Sequence, residues 1–228
     1  MCNTEQLNLL KNTLYDKSRT CPLCNHKFTS KAIRVGKNKL VSLDEDLYAH
    51  YDIVNPILYD AIVCPECKYS ATSKNFDTLM PRHKLLLKDT FNKGIINITL
   101  NEYLTAEDSI AMHKLALLAA ITKKSKIGEQ AYIALHIAWL YRECGNKEDE
   151  LLFLERAYSG FNEALSTENF PIQGFDEATL MYTLAALAHQ LDKDDECLKM
   201  LSSVITMSGL SPRLKDHALN LKEKIKHK

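Results

Sequence analysis

The hydrophobic and polar positions of this chain change their period near residue 76, and the change predicts two kinds of structure. After Phe76, apolar residues recur with a period of about 3.6, as on the buried stripe of an amphipathic helix. The pattern predicts helices over residues 77–93, 106–123, 127–144, 147–168, 175–192, 194–208 and 212–226. Glycine and proline end helices, and they separate these stretches at Gly94, Gly145, Pro171 with Gly174, and Gly209 with Pro212.

Residues 21–75 follow a different sequence pattern, in which short β-prone runs alternate with turn residues. Three runs are predicted as strands: 27–35, 39–43 and 59–63. The first two flank Gly36-Lys37-Asn38, a turn sequence that predicts a β-hairpin, and the third leads directly into Cys64. Ahead of them, residues 4–16 have the spacing of a short amphipathic helix.

Two of the predicted helix pairs repeat one spacing of small and large apolar residues. The matching positions are Ala134, Ile137, Ala138 and Tyr141 in the first pair, and Met181, Leu184, Ala185 and Ala188 in the second. Small residues at fixed positions let paired helices approach closely, as in tetratricopeptide repeats. The copies lie further apart than the ~34 residues of a standard repeat, so the first pair has longer helices or a longer connection.

The strongest chemical signal is a pair of Cys-Pro-x-Cys sequences, Cys21 to Cys24 and Cys64 to Cys67. Each Cys-x-x-Cys turn presents two thiolates to one ion, and two turns supply the four ligands of a tetrahedral zinc site. The ligand set is therefore predicted as Cys21, Cys24, Cys64 and Cys67, holding a structural Zn²⁺ ion. Such a site is closed, because every coordination position is taken by protein.

Together these patterns predict a mainly α fold. A small β zinc-ribbon-like module with a leading helix would occupy residues 1–76, and a helical, tetratricopeptide-like hairpin array would occupy residues 77–228. The aromatic residues of the array are candidates for a binding groove, although helical spacing also suits a core position: Tyr132, Trp139, Tyr141 and Tyr182.

Alternatives to the four-cysteine zinc site remain open at this point. A redox dithiol would need a cysteine of low pKa at a helix N-terminus in a βαβ unit, and neither sequence has that setting. Nearby histidines are alternative ligands: His26, His50 and His83. Cys144 and Cys197 are predicted to be plain core or near-surface thiols, and Cys2 has no partner spacing.

Composition limits the functional classes. The formal net charge is +0, so a general attraction to nucleic acid or acidic membranes is not indicated. No apolar run approaches the ~20 residues of a membrane span. The N-terminus lacks the apolar core of a signal peptide, so we expect a cytoplasmic protein with reduced cysteines. The chain also lacks the common catalytic motifs, and we expect it not to be an enzyme.

Charge is nevertheless uneven along the chain. Acidic residues dominate between Glu143 and Glu196, where the only lysines and arginines are Lys147, Arg156 and Lys193. This imbalance favours a non-enzymatic adaptor or scaffold that docks a basic protein partner through its helical repeat surface. The alternative is a nucleic-acid-binding zinc ribbon that uses the predicted basic hairpin 27–39: Lys27, Lys31, Arg34, Lys37 and Lys39.

Three segments also resemble a bacterial family of uncharacterised proteins, domain-of-unknown-function family 2225. They are CPLCNHKF, the run DEDLYAHYDIVNPILYDAIVCPECKYSA, and AWLYRE at Ala138–Glu143. The resemblance implies a zinc-binding N-terminal part and a tetratricopeptide-like C-terminal half, and it implies no activity. Lys68 departs from the pattern, since glycine is common after the second knuckle. The Asn55-Pro56 segment is interpreted either as a recognition loop or as a turn with Tyr59 packed under the knuckle.

Overall fold

The computed structural model describes residues 4–91 and 98–227. The strands are β1 (Leu14–Thr20), β2 (Lys27–Ile33), β3 (Leu40–Leu43), β4 (Ala49–Tyr51), β5 (Ala61–Val63) and β6 (Ser70–Thr72). The helices are α1 (Thr4–Thr13), α2 (Pro81–Phe91), α3 (Ala106–Thr122), α4 (Ile127–Glu143), α5 (Lys147–Thr167), α6 (Glu177–Gln190), α7 (Asp194–Thr206) and α8 (Pro212–Lys226). The predicted fold class is confirmed, since small β-hairpins that carry the cysteines precede a series of helices.

The predicted hairpin across Gly36 is wrong. Strand β2 pairs antiparallel with β1 along all seven residues of each, and β3 pairs with β4. The predicted helix over residues 4–16 is too long. Helix α1 ends at Thr13, and Leu14 already lies in β1. The connection between β1 and β2 is the first cysteine turn, residues 21–26.

Contacts divide the chain into two compact units, each built from separate segments. Unit 1 contains residues 1–42, 49–125 and 139–147, and unit 2 contains residues 43–48, 126–138 and 148–228. The division of the sequence at residue 76 stays a prediction.

The core of unit 1 surrounds the cysteines. Buried aromatic rings pack there, with Tyr69 and Phe76 at a centroid distance of 5.4 Å and Phe91 6.2 Å from Tyr69. Helix α3 contributes Ala119 to this cluster, and the buried Ser70 hydroxyl donates a hydrogen bond of 3.1 Å to the Met112 carbonyl of α3. The hairpins are therefore anchored on a helix as well as on one another.

Unit 2 is built from helical hairpins. Helices α6 and α8 begin after side-chain caps: Asp176 accepts the Thr179 N–H at 2.7 Å, and the Ser211 hydroxyl accepts the Leu214 N–H at 3.3 Å ahead of Pro212. Tyr182 is fully buried in α6, and its hydroxyl donates 2.7 Å to the carbonyl of Glu45. Trp139 and Tyr141, which belong to unit 1, are buried too, so the aromatic residues considered for a groove are core residues of their units, except for half-buried Tyr132 of unit 2.

Close approach of α4 and α5 depends on a glycine. A Cβ atom added at Gly160 would lie 2.9 Å from the Cβ of Ala131. This distance is shorter than the van der Waals contact between two carbon atoms. We expect Gly160→Val to lower the free energy of unfolding by about 1–3 kcal/mol through overpacking. Urea denaturation followed by circular dichroism would measure the change. Ser159→Val is the matched control, since Ser159 is exposed on the same helix and should change stability by less than about 0.5 kcal/mol.

Candidate metal centre

The two cysteine pairs meet, although they are far apart in the sequence. The sulfur atoms of Cys21 and Cys67 are 3.6 Å apart, and those of Cys24 and Cys64 are also 3.6 Å apart. All four sulfurs lie within 4.8 Å of one another. Cys24 is exposed and the other three are buried.

Each pair forms the loop of a β-hairpin, and the two loops have the same backbone. In the first, the Cys21 N–H donates to the His26 carbonyl at 2.8 Å and the Asn25 N–H donates to the Cys21 carbonyl at 2.9 Å. In the second, Cys64 pairs with Tyr69 at 2.9 Å and with Lys68 at 3.0 Å in the same way. The β1–β2 and β5–β6 hairpins thus present their cysteines from equivalent turns.

Backbone N–H groups surround the sulfurs. Those of Cys24 and Leu23 donate to the sulfur of Cys21, and those of Cys67 and Glu66 donate to the sulfur of Cys64. Hydrogen bonding from the Cys67 thiol, aided by the N–H groups of Cys24 and Leu23, lowers the pKa of Cys21 to about 5 against the opposing effect of burial, whereas burial raises the pKa of Cys64 to about 11. A thiolate is the form that binds metal, and backbone N–H groups directed at the sulfurs favour that form.

The sulfur geometry fits a tetrahedral metal ion. A Zn–S bond of about 2.3 Å in a regular tetrahedron places neighbouring sulfurs about 3.8 Å apart. The observed 3.6 Å separations are close to that edge and far longer than the ~2.05 Å of a disulfide bond. The donor set therefore fits a four-thiolate metal site, and zinc is the ion that such sets commonly hold.

The other sequence candidates do not join the cluster. His26 is exposed and its ring stacks beside Phe28 at 6.4 Å, while His50 is exposed on β4 and His83 accepts a hydrogen bond from Arg82 on α2. Cys197 is buried and Cys144 is exposed, as expected of plain core and near-surface thiols. Cys2 lies outside the described residues. Both cysteine pairs sit between strands, and neither begins a helix as a redox dithiol would require.

The Asn55-Pro56 segment is a turn. Asn55 accepts the Ile57 N–H at 3.0 Å and begins a single 3-10 turn, Pro56–Tyr59. Tyr59 is buried with Leu14 and Val54, in a cluster separate from the cysteines, and its hydroxyl accepts the Leu104 N–H at 3.2 Å. The expected turn is confirmed, while the expected position of Tyr59 under the second knuckle is wrong.

Lys68 adopts the left-handed conformation that glycine favours, with φ of 62°. Its ammonium group donates to the Pro65 carbonyl within the same turn. We expect Lys68→Gly to stabilise the metal-loaded protein by about 0.5–1 kcal/mol, because glycine adopts this conformation without strain. Lys68→Ala is the matched control, since it loses the same ammonium contact and keeps the Cβ atom. If Lys68→Ala and Lys68→Gly unfold at the same temperature, the backbone explanation is wrong.

A family model described as "Uncharacterized protein conserved in bacteria (DUF2225)" matches residues 14–225. The chain belongs to this family. The match spans both the cysteine hairpins and the helices, as the sequence resemblance indicated. An uncharacterized protein of Borreliella burgdorferi is 24% identical over an alignment that covers 56% of this chain and 52% of the relative. The chain thus spans about half the length of that relative. No solved structure matches the chain.

Within residues 4–91 and 98–227, none of the helices combines the length and the apolar character that crossing a bilayer requires.

Proposed function

We propose that this DUF2225 protein is a non-enzymatic adaptor whose β-hairpins are held by a structural Zn²⁺ ion and whose helices dock a protein partner. The observation that carries the proposal is the sulfur cluster. Four thiolates around zinc leave no coordination position for a water or a substrate, so the ion would stabilise structure and take no part in catalysis. Adaptors built on helical hairpins offer extended helix faces to their partners.

The outer face of α5 is the proposed docking surface. A continuous stripe of exposed residues runs along it: Glu148, Leu152, Glu155, Ser159, Glu163 and Ser166. Lys193 neutralises Glu155 through contacts of 2.9 and 3.0 Å, which leaves Glu148 and Glu163 as the charges offered by the stripe. The exposed Leu152 lies between carboxylates, an arrangement suited to a partner surface with basic residues around an apolar one.

Charge reversal tests the docking surface on the full-length chain. Tagged wild-type protein, Glu148→Lys/Glu163→Lys and the control Lys37→Glu/Lys39→Glu would each capture partners from a nuclease-treated bacterial lysate, and the captured proteins would then be purified. We expect one protein to bind wild type and the control with equal affinity and the α5 variant at least tenfold more weakly. A captured protein that binds the α5 variant as tightly as wild type would contradict the docking surface.

The same experiment separates the adaptor from the nucleic-acid alternative. Four of the five basic residues of 27–39 are exposed, whereas Lys31 is held by the carboxylates of Asp16 and Glu102, each 3.1 Å away. If these residues bound nucleic acid, recovery would be lost on nuclease treatment and in the Lys37→Glu/Lys39→Glu variant, and affinity would fall steeply with salt. That outcome would replace the adaptor proposal.

A further inference from the structure

The two cysteine turns have the same backbone hydrogen bonds, but their second cysteines differ in exposure. Cys67 is 8% exposed and lies in the aromatic core of unit 1, whereas its counterpart Cys24 is exposed. The residues that follow Cys24 are exposed as well: Asn25, His26 and Lys27. A small molecule dissolved in water therefore meets the cluster first at Cys24, because the other three cysteines are buried.

A reaction partner for Cys24 lies on the other hairpin. Its sulfur is 3.6 Å from that of Cys64, the first cysteine of the second turn. The sulfurs of a disulfide bond are about 2.05 Å apart, so a relative shift of about 1.5 Å would bring the two atoms to bonding distance. Because Cys24 belongs to the β1–β2 loop and Cys64 to the β5–β6 loop, such a bond would link the two hairpins that share the candidate metal centre.

We propose that Cys24 is a site of reversible oxidation by hydroperoxides, which joins it to Cys64 in a disulfide bond and releases the zinc ion. The inference rests on the proposed function, since it requires the structural Zn²⁺ ion. Cysteines that sense oxidants are accessible to solvent and lie beside a second cysteine that resolves the oxidised one. Cys24 meets the first condition by its exposure and the second by its contact with Cys64.

The reaction consumes one hydrogen peroxide and two thiolates. A cysteine that coordinates a metal is already a thiolate, the nucleophilic form. The Cys24 sulfur attacks one peroxide oxygen, the O–O bond breaks, hydroxide leaves, and a sulfenic acid remains on Cys24. The Cys64 thiolate then attacks that sulfur, and a second hydroxide leaves as the S–S bond forms. Two electrons pass from the two sulfurs to the peroxide.

Oxidation would exchange one link between the hairpins for another. Cys21 and Cys67 alone cannot complete a four-thiolate site, so the ion is lost. The new disulfide bond still joins the two loops, whereas removal of zinc from the reduced protein leaves them without either link. The oxidised, zinc-free protein is therefore expected to keep its hairpins folded better than the reduced, zinc-free protein does.

Peroxide treatment of the zinc-loaded full-length chain tests the site. The variant Cys2→Ser/Cys144→Ser removes two thiols outside the cluster and keeps the buried Cys197 as an internal reference. A chromogenic chelator would follow zinc release, with a sample without peroxide as the baseline, and alkylation would label the remaining thiols. We expect one zinc ion released per chain and, at half release, an oxidised fraction of Cys24 at least tenfold larger than that of Cys197. Dithiothreitol and added zinc should restore the original zinc content.

Trypsin distinguishes the disulfide bonds that the cluster can form. Cys21 and Cys24 share the tryptic peptide 20–27, and Cys64 and Cys67 share the peptide 40–68. A bond within one turn stays inside one peptide, while the proposed bond joins the two, and mass-spectrometric fragmentation identifies the linked cysteines. In a second measurement, limited proteolysis within residues 14–72 should be at least fivefold slower for the oxidised protein than for reduced protein stripped of zinc by a chelator.

The outcomes separate this proposal from the one on which it rests. A zinc-loaded protein in which Cys24 is oxidised no faster than Cys197 would overturn the oxidation site and leave the structural zinc ion in place. The same holds if the main product is anything other than a bond between Cys24 and Cys64. A protein that holds no zinc before peroxide is added would refute both proposals.

Discussion

Replacement of Cys67 by serine is expected to abolish metal binding and to unfold the β-hairpins. Serine leaves three thiolates at a site whose geometry requires four, and Cys67 is buried among Tyr69, Phe76 and its partner cysteines. Structural zinc contributes about 10–16 kcal/mol of apparent binding free energy in small zinc domains, which is comparable to the whole stability of a typical domain. Cys24→Ser should have the same effect on metal content, because Cys24 belongs to the same cluster.

Metal analysis after dialysis, with circular dichroism and two-dimensional NMR, would measure this effect. We expect no bound zinc, loss of dispersed signals from residues 14–72, and a largely retained helical signal. Cys144→Ser is the matched control, since Cys144 is exposed and outside the cluster, and it should keep its metal and its stability. A Cys67→Ser protein that retains one zinc per chain would refute the four-cysteine assignment.

Truncation of Phe76 to alanine is expected to be the second largest effect. Phe76 is fully buried, and its ring packs against Tyr69 at 5.4 Å and against Phe28 at 6.0 Å, beside the cysteines. Loss of a buried phenylalanine side chain costs about 3–5 kcal/mol. If folding of the hairpins and metal binding are coupled, the apparent zinc affinity should fall by roughly 10² to 10⁴, since 1.4 kcal/mol corresponds to a tenfold change.

Competition with a chromogenic chelator would measure that affinity. Leu85→Ala is the control, because Leu85 is an exposed leucine of α2 and its truncation removes little buried surface. Equal zinc affinities for Phe76→Ala and Leu85→Ala would show that the aromatic cluster does not support the metal site.

Local signals in the sequence predicted the helices well. Helix α8 has the predicted bounds, 212–226, because Ser211 and Pro212 specify its start without help from the rest of the chain. Helix α2 begins only at Pro81, later than its apolar period suggested, since proline fits the first turn of a helix and disrupts its interior.

Pairing of the strands was not predictable from local pattern. Gly36 does adopt a left-handed turn conformation, with φ of 76°, yet the strands beside it pair elsewhere. Strand β1 is mostly polar and exposed, so its sequence carried no hydrophobic alternation to reveal it. What decides its partner is the cysteine turn that follows it, and that turn is held by contacts with residues more than 40 positions away.

The cysteine cluster itself was predictable because its cysteines are adjacent in the sequence, two to a turn. The aromatic rings packed around it, Phe28 of β2, Phe91 of α2, and Tyr69 and Phe76 on either side of β6, are brought together only in the folded chain.

Zinc X-ray absorption on the full-length protein, purified without added metal, tests the central claim most directly. We predict one zinc ion per chain, with a first shell of four sulfur atoms at about 2.3 Å and no nitrogen or oxygen ligand. A chain without stoichiometric zinc, or a shell that contains nitrogen or oxygen, would contradict a closed four-thiolate site.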